Sequence, residues 1–317
     1  MRKIAPWLAF GAVALVLPFV VTNGYLFHLL IIAVIWSILA TSLNLVLGYA
    51  GLLSLAHGAF FGLGAYCSAL LVTKLEWNFW ATIPPAMALA ALFGALLGLL
   101  TLRLSGHYFA ISTLSFGIVV SLVLEKWDDL TEGPRGISSI PAPTPISLFG
   151  WRDIDFESNT AKYYLAVIAL ALCLAFVWRL VRSPVGRALE AIRQNELLAS
   201  CLGINVVFYK LLAFSLSAAM AGLAGVLYSV YITYINPIDA GLWNGFYAVM
   251  YIVIGGMGTF AGPVVGTVFL VTLPEMLRMF QDYRLLLLGA LLIITMTFLP
   301  QGLVGGLSRL QRRWAGR

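Results

Sequence analysis

The sequence predicts an all-α fold, a polytopic integral membrane helix bundle of about ten helical segments with a broken hairpin near Gly255 to Pro263. Three observations predict it. Of the 317 residues, 61% are hydrophobic and only 10% charged, more apolar side chain than a water-soluble core can absorb. Several apolar runs reach the roughly 20 residues that a helix needs to cross a bilayer. The basic residues behind the net charge of +6 flank those runs; this is the pattern of membrane orientation, not of nucleic-acid binding. Residues 1–317 read as a single transmembrane domain.

Met1-Arg2-Lys3 leads into a first span at about Ile4 to Val21. That run is longer than the apolar core of a signal peptide, and no small-x-small site follows before Asn23-Gly24, so a retained helix starting in the cytoplasm is expected. Span two covers about Tyr25 to Leu47, and a stretch rich in Gly and small polar residues, Gly48 to Gly58, leads into span three, which ends near Val72. Span four, about Phe79 to Leu102, is anchored by Trp77 and Trp80, and Pro84-Pro85 should kink it. Arg103 marks its cytoplasmic end, and span five follows at about Tyr108 to Leu124.

Glu125 to Lys162 is the largest polar excursion. Seven acidic residues, Glu125, Asp128, Asp129, Glu132, Asp153, Asp155 and Glu157, and the prolines 141, 143 and 145 suit an external loop with turns or a short element packed on the outer face. Span six, about Tyr163 to Val181, ends in Arg179 and Arg182. Span seven, about Leu211 to Ile235, carries Ser215, Ala218, Ala221, Gly222, Ala224 and Gly225, small residues that place it in the bundle centre.

Between spans six and seven, Ser183 to Asn205 reads as one polar helix of about five turns. Ser183 can cap it, Pro184 suits the first helical position, and Gly203 supplies a left-handed stop. Arg187, Glu190, Arg193 and Glu196 follow one another at i,i+3 and lace the polar side, while Leu189, Ile192, Leu197 and Leu198 form an apolar side. Flanking arginines put this helix in the cytoplasm. It either docks a partner there or merely links two spans as a solvated helix.

Tyr247 to Leu273 raises a question of parity. Crossing once, it would send the final span, about Leu285 to Leu299, and the basic tail of Arg309, Arg312, Arg313 and Arg317 to the outside, against the charge bias. Glycines 255, 256, 258 and 262 with Pro263 break the run instead. Two shorter helices then form a hairpin, and both termini are cytoplasmic. Broken helices at membrane depth occur only where protein or a cavity surrounds them, so the hairpin is a candidate part of a pathway.

Enzymatic chemistry is not legible. The chain has no GxxxxGK[ST] loop, no HExxH and no acidic pair at catalytic spacing. Cys67, Cys173 and Cys201 have no pattern of a disulfide framework or metal site, and no cofactor is expected. His28, His57 and His107 lie near span ends, where a hydrogen-bonded packing role is the plainer reading. Glu76, Glu125, Glu275 and Asp282 also fall near ends, which argues against proton- or sodium-coupled transport.

Several motifs carry a resemblance. Gly48-Tyr49-x-Gly51-x-x-Ser54-x-x-His57, then Gly62-x-Gly64-Ala65-Tyr66, resembles branched-chain amino acid ABC importer permeases of the LivM type. So do Arg103-Leu104-x-Gly106-x-Tyr108-Phe109-Ala110, the stretch Thr131 to Pro141, and above all Gly186-Arg187-Ala188-Leu189-x-Ala191-Ile192-Arg193-x-Asn195-Glu196 through Gly203 to Tyr209-Lys210. Ala221-Gly222-x-Ala224-Gly225 and Gly255-Gly256-x-Gly258-Thr259-x-x-Gly262-Pro263 complete it. The chain departs at Thr131-Glu132-Gly133, where that family commonly has two glycines, and it lacks the general importer spacing of Glu-Ala-Ala to Gly.

The resemblance implies a multi-pass permease of the bacterial inner (plasma) membrane, one half of a heterodimer with a second related permease. Two cytoplasmic ATP-binding subunits and an external substrate-binding protein would complete it, with membrane lipid around it and no nucleic acid. The coupling helix 183–205 would seat on an ATPase through Gly186, Arg187, Glu190, Arg193, Asn195, Glu196 and Gly203. Ser54, His57, Gly58, Tyr108, Thr113, Gly255, Gly256 and Gly258 are the candidate pathway residues. Urea, short-chain amides or other amino acids are the alternative cargoes; a secondary transporter and a membrane enzyme or scaffold are the rival classes.

Overall fold

The computed structural model describes residues 17–18, 23–104, 106–147, 153–154 and 156–276, with positions 289, 293, 297 and 302–306 beyond them. The expected spans Ile4 to Val21 and Leu285 to Leu299 lie almost wholly outside the described residues, and the tail from Arg309 lies entirely outside them.

Helix α1, Gly24–Asn44, runs on into a π-helical turn, Leu45–Tyr49. Then come α2, His57–Thr73, α3, Phe79–Thr101, α4, His107–Lys126, and α5, Asn159–Arg182. The polar stretch holds α6, Pro184–Gln194, and α7, Glu196–Cys201; α8, Val206–Ile232, follows. The broken hairpin is α9, Leu242–Gly255, and α10, Gly262–Met276. Among the described residues, five helices are long and apolar enough to cross a membrane: α1 with its π turn, α3, α4, α5 and α8. The chain is a multi-pass, all-α membrane bundle. α3 stays one helix through Pro84 and Pro85.

Polar caps start the spans. Asn23, Asn78, Ser158 and Asn205 accept hydrogen bonds from the N–H groups of Tyr25, Trp80, Ala161 and Phe208 at 3.0, 3.1, 3.2 and 3.0 Å. Each satisfies a donor that the first helical turn leaves free, which matters most where no water can substitute.

Small residues then decide what packs centrally. α8 is buried along most of its length and contacts α1, α2 and α3. A side chain on Gly222 would begin 2.7 Å from Ala90 Cβ, and one on Gly225 would begin 2.9 Å from Ala65 N. Backbones therefore touch at these crossings, and van der Waals contact replaces the hydrophobic drive that lipid cannot supply. A buried Ser68–Thr82 hydroxyl pair, 2.8 Å, ties α2 to α3.

At one end of the bundle, residues 125–147 form a fastened cap. One helical turn, Asp128–Thr131, is followed by Ile137–Ser138 (β1), which pairs antiparallel with Tyr234–Ile235 (β4) after α8. Lys74 Nζ donates to the carbonyls of Asp129 and Leu130 at 2.9 and 2.8 Å. Ile146–Ser147 (β2) pairs with Asp153–Ile154 (β3). The helices α6 and α7 lie at the opposite end, since α5 runs the length of the bundle between the two.

Candidate functional site

The polar stretch is two helices, not one. Asn195 is extended, φ −161°, and its Oδ1 accepts from Leu198 N at 3.1 Å, so it closes α6 and caps α7. Asn is a strong capping residue, and a cap in mid-sequence starts a second helix in a new direction. Ser183 Oγ caps α6 through Val185 N, 3.1 Å, with Pro184 in the first turn. Gly203 ends α7 at φ +82°. A Cβ on buried Gly186 would lie 2.5 Å from Val181 Cα, so the turn from α5 into α6 needs glycine.

The break changes which side chains face out. Leu189 and Ile192 of α6 are buried, whereas Leu197, Leu198 and Leu202 are 73%, 62% and 80% exposed. The expected single apolar side is thus divided, and the leucines after Asn195 are exposed, as Arg187, Glu190 and Arg193 are. The expected i,i+3 charge ladder is also replaced. Among the described residues the ion pair is Glu196 with the buried Lys210 of α8. Arg193 donates through Nη1 to the carbonyl of Gly48. Arg193 and Glu196 therefore hold the two helices to the bundle.

Around Arg193 three broken backbones meet. Gly48 lies in the π turn, Gly51 (φ +75°) follows it, and Gly258 (φ +71°) lies in the turn between α9 and α10. A Cβ on Gly48 would be 2.6 Å from Gly258 N, and one on Gly51 would be 3.1 Å from Arg193 Cγ. Asn44 bridges the junction: Gly258 N–H donates to its Oδ1 and its Nδ2 donates to Thr259 O, both at 3.0 Å. Gly255 and Gly256 are buried beside it.

A second polar cluster lies deeper. Residues 50–56 are irregular and climb back into the bundle, so that His57 Nε2 meets Ser217 Oγ at 2.6 Å. Ser217 lies eleven residues into α8, about 16 Å along it at 1.5 Å per residue. Ser217 donates its hydroxyl proton to Ser42 O, 2.6 Å, and must accept from His57. The imidazole therefore carries its proton on Nε2, and Nδ1 accepts from Ser54 Oγ at 3.3 Å. Leu55 N–H donates to Thr113 Oγ1, 3.1 Å. Ser54, His57 and Thr113 are thus fully buried and together join α1, α2, α4 and α8. Gly58 packs where the chain after α8 returns, with a Cβ there 3.0 Å from Gly245 N.

The candidate pathway residues fall into two groups, one at His57 and one at the glycine junction. Tyr108 joins neither and stands 71% exposed on α4.

The sequence reading missed several polar residues. Asn44, Ser217 and Lys210 are single polar groups in apolar runs, and that isolation was their only signal. Asp239 corrects the expectation that acids stay near span ends. Residues 236–241 run alongside α2, with Ala240 against Gly62, eleven residues from Thr73 at the far end of that helix. There Asp239 accepts from Asn236 N at 3.1 Å and from Tyr228 Oη at 3.4 Å. Pro237 and Gly241 mark the segment in the sequence.

A family model described as "Branched-chain amino acid transport system / permease component" matches residues 25–296. The chain is 35% identical over 320 residues to the high-affinity branched-chain amino acid transport system permease protein LivM of Salmonella typhimurium, covering 94% of this chain and 74% of that protein. The corresponding LivM of Escherichia coli is 36% identical over 304 residues, 90% and 71% of the two chains. LivH of Salmonella typhimurium, a permease protein of the same named system, is 26% identical over 85% of this chain and 91% of its own length. No solved structure matches the chain.

Proposed function

This chain belongs to the family of branched-chain amino acid transport system permease components, and we propose that it is one of two related permease subunits of an ATP-driven importer for leucine, isoleucine and valine. It sits in the bacterial inner membrane with both termini in the cytoplasm. Two separate ATPase subunits supply the energy, and an external binding protein delivers the amino acid to the cap at residues 125–147. The chain itself carries no ATPase site.

One observation carries this reading: the polar helices α6 and α7 are anchored by one side and free on the other. Leu189, Ile192, Arg193 and Glu196 hold them to the bundle, while Arg187, Glu190, Leu197, Leu198 and Leu202 point outward. A solvated linker has no need to expose three leucines on a capped, clamped helix. Charged and apolar groups on one rigid surface suit a groove on a protein partner, with the leucines as anchors and the charges at the rim.

The test is reconstitution in vesicles with the second permease, the ATPases and the binding protein. Leucine, isoleucine and valine should accumulate only with ATP, and excess urea or acetamide should not compete. Accumulation without the ATPases would return the protein to secondary transport, for which Asp239 offers a half-buried carboxylate.

A further inference from the structure

The contacts of Arg193 lead beyond ATPase docking. The residue stands near the end of α6; it is exposed along part of its length, as Arg187 and Glu190 are, but its side chain also reaches the backbone of the bundle. Its stem packs on Gly51, with Cγ 3.1 Å from where a Cβ would be. Its guanidinium reaches Gly48 O and lies beside Gly258, where a Cβ would be 2.8 Å from Nη1. One side chain from the polar helices therefore touches the end of α1, the start of the irregular segment 50–56 and the turn of the α9–α10 hairpin.

Those three places are where the backbone can pivot. Gly51 and Gly258 hold positive φ, which glycine adopts without strain, and Gly48 lies in a widened helical turn. Asn44 locks the pivots together through Gly258 N and Thr259 O. The far side of each pivot is a segment at membrane depth. Residues 50–56 lead to the His57 cluster, and α9 leads back to Gly245 beside Leu55, where a Cβ on Gly245 would be 2.5 Å from Leu55 O. A rigid α6 that shifts must carry Gly48 with it, because the guanidinium holds a backbone carbonyl and not a side chain that could rotate away.

We propose that Arg193 is a positioning residue for transport: a strut that passes the movement of α6 and α7 to the glycine pivots at 48, 51 and 258, and so to the two segments at membrane depth. This rests on the importer reading above. It differs in where the coupling runs, through the glycine junction beneath α6, and not only through a tilt of α5 and α8.

The test compares Arg193→Met and Arg193→Lys with the unaltered chain in the complete importer. Met keeps the stem against Gly51 and removes the donor; Lys keeps a donor. Three quantities are read: co-purification of the ATPases, ATP hydrolysis and uptake of radiolabelled leucine. For R193M, ATPase binding and hydrolysis should fall by several-fold less than uptake does, because Leu189, Ile192 and the Glu196–Lys210 pair still hold the two helices. Its uptake should fall by roughly ten-fold or more, the scale of a lost coupling energy. R193K should recover part of the uptake. A merely structural role would lower all three quantities in parallel, and that result overturns the proposal. So does R193M uptake equal to the unaltered chain. An unaltered importer that moves leucine with its ATPases omitted would overturn the importer reading and this one with it, so the two failures are distinguishable.

Discussion

His57 has two polar neighbours, Ser54 and Ser217, and no exposure to solvent. Ser217 gives its only proton to Ser42 O, so the histidine must supply the proton between them. Replacing His57 with Ala leaves Ser54 and Ser217 short of partners and opens a void. The cost should be about 3 kcal/mol, from the unmet hydrogen bonds and the cavity together. A thermal midpoint of H57A in detergent within error of the parent would remove the packing role. Glu132 makes the opposite case. It holds φ +61°, a left-handed conformation costly for any residue with a Cβ, at a position where the resembling family commonly has glycine. Glu132→Gly should therefore be neutral or stabilising by up to roughly 1 kcal/mol despite glycine's greater freedom when unfolded. Chemical denaturation that shows E132G clearly weaker would mean that the carboxylate has a partner of its own.

At the scale of elements, the division at Asn195 matters most. Without its cap, α7 is a helix of only six residues, too short to persist on its own. Asn195→Ala should cost about 1 kcal/mol, the usual worth of such a cap. Amide exchange at Leu198 to Leu202 should quicken by about five-fold, the same energy expressed as an opening equilibrium. Unchanged exchange there would assign the order of α7 to the Glu196–Lys210 pair instead. Exchanging Leu198 and Leu202 for Glu should leave the bundle intact, since both side chains are exposed. ATPase binding should weaken by at least about ten-fold if these are interface anchors. Full binding by that double variant would move the docking surface to Arg187 and Glu190.

At the scale of the whole molecule, the two ends of the bundle carry different polar structures. The cap at 125–147 and the helices α6 and α7 lie at opposite ends. Gly302 packs at the hairpin turn, where a Cβ on it would be 2.7 Å from Gly255 C, so the chain at 302 stands at the α6 end. Cysteines replacing Asp129, Glu190 and Gly306, in a chain whose own three are removed, should then split into two classes. A membrane-impermeant maleimide added to intact cells should label position 129 alone, and permeabilised cells should add 190 and 306. Labelling of 306 from outside would give the chain an odd number of crossings and place the basic tail against the positive-inside rule.

Much of this protein was legible in the sequence, because bilayer thickness sets helix length and the absence of water at depth forces every backbone group into a helix. Composition alone therefore marked Phe79–Thr101 and the other long spans to within a few residues, and glycine with proline marked the hairpin break at Gly255 to Gly262. Small residues marked α8 as central because only they allow backbones to touch. The tertiary structure alone decided the rest. That Asn195 ends a helix depends on which backbone N–H its side chain meets, and Asn is common in both caps and loops. That Arg193 bonds the backbone at Gly48 depends on that glycine being brought to it from a point far away in the chain. The depth of His57 and Asp239 depends on two irregular segments folding back beside α2, and hydropathy cannot see these because it counts residues along the chain and not their height in the membrane. Periodicity reports which face of one helix is apolar; which partner that face meets is settled only when distant segments pack.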